Sequence, residues 1–131
     1  MRDVSERFSV YVVDDDDAVR DSLAALLEPE GFIVRPYASA EDFLNVLDTS
    51  LPEDSGHSCL LLDLHMPGKG GQELLEVLST REFRMPVVVM TGNAYERTRA
   101  HALSQGAVAF LEKPVDAEIL INTIKTTLQV P

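Results

Sequence analysis

Cys59-Leu60-Leu61-Leu62-Asp63-Leu64-His65-Met66-Pro67-Gly68 decides the fold: an apolar run ends in an acid, and a proline and a glycine then turn the chain. A short run without polar interruption fits a strand covered on both faces, as in a parallel sheet flanked by helices. Similar runs lie on either side: Val10-Tyr11-Val12-Val13, Phe32-Ile33-Val34, Val87-Val88-Val89-Met90 and Val108-Ala109-Phe110-Leu111. The run at Phe32 is followed by Arg35-Pro36, which marks an edge strand, where a missing N–H is tolerated.

Segments of helical period separate the runs. Asp17 is a candidate cap for a first helix with Val19, Leu23, Leu26 and Leu27 on one stripe, ended by Pro29 and Gly31. Ser39 with Asp42 has capping-box spacing ahead of Phe43, Leu44 and Leu47. Leu74, Leu75, Val77 and Leu78 mark a third helix, and a weakly amphipathic segment from about Ala94 to Gln105 a fourth. Asp116 opens a fifth, with Leu120, Ile121, Ile124 and Leu128 on one side. The stretch from Asp48 to Ser58, with Pro52, Asp54, Ser55 and Gly56, reads as a surface loop. Strand and helix alternating in this way imply an α/β doubly wound parallel sheet with right-handed crossovers.

A chain of 131 residues, 45% hydrophobic and 25% charged, fits one compact domain with a real core. Cys59 is the only cysteine, so no intrachain disulfide is available; inside an apolar run it reads as a small buried hydrophobe. No apolar stretch approaches the ~18 residues that a membrane span needs. Met1-Arg2-Asp3-Val4-Ser5-Glu6-Arg7 lacks the apolar segment of a secretory signal, so a cytoplasmic location is expected. The formal net charge of −11, from 22 acidic and 11 basic residues, repels phosphate backbones and anionic lipids. The basic pairs Arg81 with Arg84 and Arg97 with Arg99 are too sparse to form a stripe. Nucleic-acid or membrane binding by this chain itself is therefore not expected.

The residues that follow the runs carry the chemistry. Run one ends in Asp14-Asp15, run three in Asp63, run four in Thr91 and run five in Glu112-Lys113. In a parallel sheet all strand C-termini share one edge, where open α/β sheets place their ligands. Up to three carboxylates would then lie together, and each pair 4 Å apart repels by ~4 kcal/mol at an effective dielectric of about 20. Such a group must take up protons, bind a cation or pair with Lys113. Few-carboxylate sites that keep several waters suit Mg²⁺. With charge neutralised, one carboxylate can attack a phosphoryl group, while Lys113 and the Thr91 hydroxyl hold its oxygens. Asp16 and Asp17 are better read as a solvated acidic run at the positive end of a helix.

Together, Val12-Val13-Asp14-Asp15, Leu62-Asp63-Leu64-His65-Met66-Pro67-Gly68, Met90-Thr91-Gly92 and Phe110-Leu111-Glu112-Lys113-Pro114 resemble the response-regulator receiver family of bacterial two-component systems, which includes the chemotaxis regulator. The resemblance runs from about Ser9 to Leu128. Tyr37-Ala38-Ser39-Ala40-Glu41-Asp42-Phe43-Leu44 and Gly106-Ala107-Val108-Ala109-Phe110 make it FixJ-like in particular.

The resemblance implies a flavodoxin-like (βα)5 fold with strand order 2-1-3-4-5, as a single receiver domain over 1–131 with its core at about 9–128 and no output domain in this chain. It implies phosphoryl transfer from the phosphohistidine of a sensor histidine kinase, or from a phosphotransfer protein, to Asp63. Asp15, Asp63 and the backbone carbonyl of His65 would bind Mg²⁺, with Asp14 reaching it through water and Mn²⁺ able to substitute. Lys113 would pair with the phosphate, and the Lys113-Pro114 peptide would be cis. Thr91 and Phe110 would be the switch pair, altering the surface of the fourth helix and fifth strand. A phosphorylation-dependent homodimer and regulation of transcription through a DNA-binding domain are further implications. The role that the resemblance implies is that of a phosphoacceptor signalling domain assisting its own phosphorylation and dephosphorylation, not of an enzyme.

Three positions depart from the usual pattern. The His65 side chain could alter access of water or of a transmitter protein. Asn93 flanks the phosphate path. Gly70-Gly71 replaces a polar cap and is expected to loosen the loop before the third helix. His57 and His101 carry no pattern and read as surface residues.

Rival chemistries fit less well. A haloacid-dehalogenase-type phosphatase has a second aspartate two positions after its nucleophile, but position 65 is His. A nucleotide-binding fold needs glycines after the first strand, where this chain has aspartates. A phosphorylation-independent interaction module on a receiver scaffold is the alternative from another class. Such modules usually lack part of the acid, Thr and Lys set, all of which is present.

Overall fold

The structure is a computed structural model that describes residues 8–49, 57–66, 70–81, 83, 85–92 and 96–130. In chain order the elements are β1 (Ser9–Val13), α1 (Asp17–Leu27), a 3-10 turn (Glu28–Glu30), β2 (Ile33–Tyr37), α2 (Ala40–Thr49), β3 (Ser58–Asp63), α3 (Gly71–Thr80), β4 (Val87–Thr91), α4 (Glu96–Ser104), β5 (Ala109–Glu112) and α5 (Ala117–Leu128). The strands form one sheet in the order β2-β1-β3-β4-β5, with every neighbouring pair parallel. This is the expected flavodoxin-like arrangement, with β1, β3 and β4 interior.

Side chains of one strand alternate between two cores. Tyr11, Val13, Leu60, Leu62, Val87 and Val89 pack with α2 and α3 and with Ala102 of α4 on one face. Val10, Val12, Cys59, Leu61, Val88, Met90 and Leu111 pack with α1 and α5 on the other. Leu60, Leu61 and Leu62 are fully buried, each stabilising the fold by roughly 1.5–3 kcal/mol relative to exposure. Burial pushes the Cys59 thiol up to about 12, so it is an inert part of the core.

The ends of elements refine the sequence reading. Asp16, not Asp17, caps α1: its Oδ1 accepts from Ala18 N at 2.9 Å and Val19 N at 3.3 Å, which moves the cap one residue earlier. The Ser39 hydroxyl accepts from Asp42 N at 3.0 Å, and Asp116 accepts from Ile119 N at 3.0 Å, both as expected. The turn after α1 closes on Gly31, whose φ of 97° suits a residue without Cβ. β2 runs through Pro36 to Tyr37, further than the apolar run alone indicated, because an edge strand tolerates the missing donor. α2 continues to Thr49, so the beginning of the expected loop is helical. Val108 is 56% exposed and precedes β5 rather than starting it. Pro67, Gly68, Arg84, Asn93, Ala94 and residues 50–56 lie outside the described residues.

α4 presents little to the core: Ala102 is buried, while Leu103 is 41% exposed. Among the described residues no helix is long and apolar enough to cross a membrane.

Candidate functional site

The four strand ends converge as the parallel topology requires. Asp14 directly follows β1, Asp63 and Thr91 are the last residues of β3 and β4, and Lys113 directly follows β5. Asp14, Asp63 and Thr91 are buried, whereas Asp15 is exposed.

Lys113 joins two of the strand ends. Its Nζ lies 2.8 Å from Asp14 Oδ2 and 3.1 Å from Asp63 Oδ2. Its main-chain N–H donates to Thr91 O at 2.9 Å, so the chain leaving β5 stays beside the end of β4. The Lys113-Pro114 peptide is cis, as expected. The remaining oxygens of both acids accept from nearby main chain. Asp16 N donates to Asp14 Oδ1 at 2.9 Å, and His65 N donates to Asp63 Oδ1 at 3.1 Å.

Asp14, Asp15 and Asp63 each offer a carboxylate oxygen, and these oxygens lie within 4.8 Å of one another. Among the described residues three carboxylates thus gather beside one ammonium, and the burial of Asp14 and Asp63 makes that imbalance costly. Burial pushes the Asp63 carboxyl above its ordinary 3.8 and the Asp14 charge adds to this, while the His65 N–H and Lys113 oppose it. Burial would lower the Lys113 ammonium, but the Asp14 hydrogen bond and the charges of both acids outweigh it and hold Lys113 above 10.5. Asp63 is therefore a carboxylate kept short of positive charge beside a lysine that stays protonated. An all-oxygen donor set with excess negative charge fits a hard divalent cation such as Mg²⁺. His65 is exposed and its main chain adjoins Asp63, so its imidazole is not drawn into the acid group.

These contacts are paired with a sequence match. A family model of the response regulator receiver domain matches residues 10–125. The chain belongs to the response regulator receiver domain family. The transcriptional regulatory protein FixJ of Azorhizobium caulinodans is 44% identical over 123 residues, which are 94% of this chain and 56% of that protein. The response regulator TodT of Pseudomonas putida strain F1 is 32% identical over 130 residues, 98% of this chain and 55% of that protein. The receiver thus spans a little over half the length of these curated relatives. A crystal structure of FixJ-N superposes with a TM-score of 0.82 at 34% identity, covering 100% of this chain and 98% of that one. Full-length FixJ of B. japonicum gives 0.82 at 36% identity, covering 93% of this chain and 58% of that one.

Arg20 escaped the sequence reading altogether, and Gly71 was read there only as part of a glycine pair. Arg20, in the first turns of α1, donates from Nη1 to the Asp14 carbonyl at 2.6 Å and pairs through Nη2 with Asp17. Gly71, the first residue of α3, sits against the main chain of β3: a Cβ there would lie 1.9 Å from Asp63 O and 2.6 Å from Leu64 Cα. The glycine pair was expected to loosen this region. At position 71 it does the reverse, because the missing side chain lets helix and strand touch. Phe110 is half-buried beside the α2–α4 core and also lines an open groove of about 440 Å³ with Arg99 and Ile119.

Proposed function

We propose that this receiver accepts a phosphoryl group on Asp63 from a phosphohistidine of a sensor histidine kinase or a phosphotransfer protein. The observation that carries this reading is Lys113 Nζ within 3.1 Å of Asp63 Oδ2 and 2.8 Å of Asp14 Oδ2, beside the three-carboxylate group. A carboxylate oxygen of Asp63 attacks phosphorus and forms the P–O bond as the donor's P–N bond breaks. The electron pair of that bond returns to the imidazole nitrogen, which takes up a proton. Lys113 changes partner in the process, releasing Asp63 as a carboxylate and holding an oxygen of the phosphoryl group. The carboxylates of Asp15 and Asp63 with the His65 carbonyl would hold Mg²⁺ or Mn²⁺, with Asp14 reaching it through water, and the ion would supply positive charge against the carboxylates and the incoming phosphoryl oxygens.

The buried Thr91 hydroxyl turns toward the modified Asp63, and Phe110 moves into the space behind it. α4, thinly anchored, then shifts with β5 and presents a changed face. The chain acts as one receiver domain over 1–131, a signalling domain whose only turnover is its own phosphorylation and dephosphorylation. A role in the control of transcription is supported by the name of the similar transcriptional regulatory protein FixJ, and a homodimer formed on phosphorylation is part of the same proposal.

Incubation with acetyl phosphate and MgCl₂ is expected to raise the intact mass by one phosphoryl group. The gain is lost with EDTA or in Asp63→Asn, and sedimentation shows dimer in the modified sample alone. An unchanged mass in the native chain would instead favour the phosphorylation-independent interaction module. Identical monomers before and after modification would remove the dimer.

A further inference from the structure

Asp15 is the weak point of the three-carboxylate group. It is exposed, and among the described residues no hydrogen bond or ion pair to its side chain is recorded, yet its carboxylate lies within 4.8 Å of those of Asp14 and Asp63. Its direction therefore depends on its own main chain, and first on the peptide joining Asp14 to Asp15. The oxygen of that peptide is the one that Arg20 Nη1 reaches at 2.6 Å.

We propose that Arg20 is a positioning residue for cation binding: its guanidinium fixes the Asp14–Asp15 peptide and so aims Asp15 at the cup. This rests on the reading of Asp14, Asp15 and Asp63 as a Mg²⁺ site. The Asp14 main chain is gripped on both sides. Its N–H donates to Tyr37 O at 3.2 Å, and its carbonyl accepts from Arg20. Arg20 is itself fixed at two points, since its other arm pairs with Asp17 and its N–H donates to Asp16 O at 3.0 Å. The planar fork meets a carbonyl and a carboxylate at once, which a lysine ammonium matches poorly.

The sign of one measurement separates positioning from simple charge. A cation near three carboxylates repels a second cation, so if charge were the whole role, removing Arg20 would tighten Mg²⁺ binding. Positioning predicts the opposite. MgCl₂ is titrated into the full chain and into Arg20→Gln and Arg20→Lys, with affinity read by calorimetry and amide shifts and folding checked by circular dichroism. Arg20→Gln is expected to weaken Mg²⁺ binding about tenfold, in the range found when groups that orient metal ligands are removed. Arg20→Lys, with the charge kept and the fork lost, is expected to fall between. If Arg20→Gln does not fold, Arg20→Lys carries the test, since a pure charge effect leaves it at wild-type affinity.

Unchanged or tighter binding in the folded variants, with normal binding in the native chain, overturns the role of Arg20 alone. No saturable binding by the native chain overturns the Mg²⁺ site as well.

Discussion

Asp63 sets a pH signature that can be measured without any phosphoryl donor. Its carboxyl is raised above 3.8 in the folded chain, chiefly by burial, so the folded state holds that proton more tightly than the unfolded state. Stability from this group is therefore complete below 3.8 and is lost as pH rises through the folded value. Asp63→Asn removes the titration. In EDTA the variant is expected to melt above wild type at neutral pH, with the gap closing as pH falls toward 3.8; a lower melting point at neutral pH would contradict the burial argument. Asp14, Asp15, Asp63, Thr91 and Lys113 were legible in the sequence because each stands where an apolar run stops, and parallel strands bring all such stops to one rim. Arg20 was not, because its contact is to a carbonyl oxygen, and main-chain acceptors leave no trace in residue identity. The cap shifted from Asp17 to Asp16 for a related reason: four aspartates in a row all have the right chemistry, and only backbone angles choose among them.

Among the elements, α3 is held closest to the site. Gly71 and Gly70 look equivalent in the sequence but differ sharply in space. A Cβ at position 71 would meet Asp63 O at 1.9 Å, while at position 70 the nearest atom is Met66 O at 3.4 Å. Gly71→Ala is expected to cost about 3 kcal/mol, the upper end for overpacking, because the obstructing atoms are main chain and cannot rotate away. Gly70→Ala, at the helix cap, is expected to cost less than about 1 kcal/mol. Urea denaturation of the two variants checks the contrast, and equal losses would refute the close approach. Periodicity located α3 well through Leu74, Leu75 and Leu78, all buried. It could not reveal the seat of its first turn, since that contact involves no side chain. α4 was legible in a different way: its weak pattern matches a helix with Ala102 buried and Leu103 exposed.

For the whole molecule, the unbroken apolar runs were the decisive signal. Leu60 and Leu62 belong to one core and Leu61 to the other, so a strand covered on both faces has no polar beat. The edge-strand proline marks β2 as an edge, whereas the full order β2-β1-β3-β4-β5 was implied by the family resemblance, and that order fixes which residues meet. The proposed function requires that position 63, and no neighbouring acid, becomes an acyl phosphate in the cup that these ends form. Borohydride reduction converts an aspartyl phosphate to homoserine and marks the modified residue permanently. After treatment with acetyl phosphate and MgCl₂, reduction and peptide mapping, homoserine is expected at position 63 with Asp14 and Asp15 intact. Homoserine at 14 or 15, or an unmodified Asp63 in a chain that has gained a phosphoryl group, would contradict it.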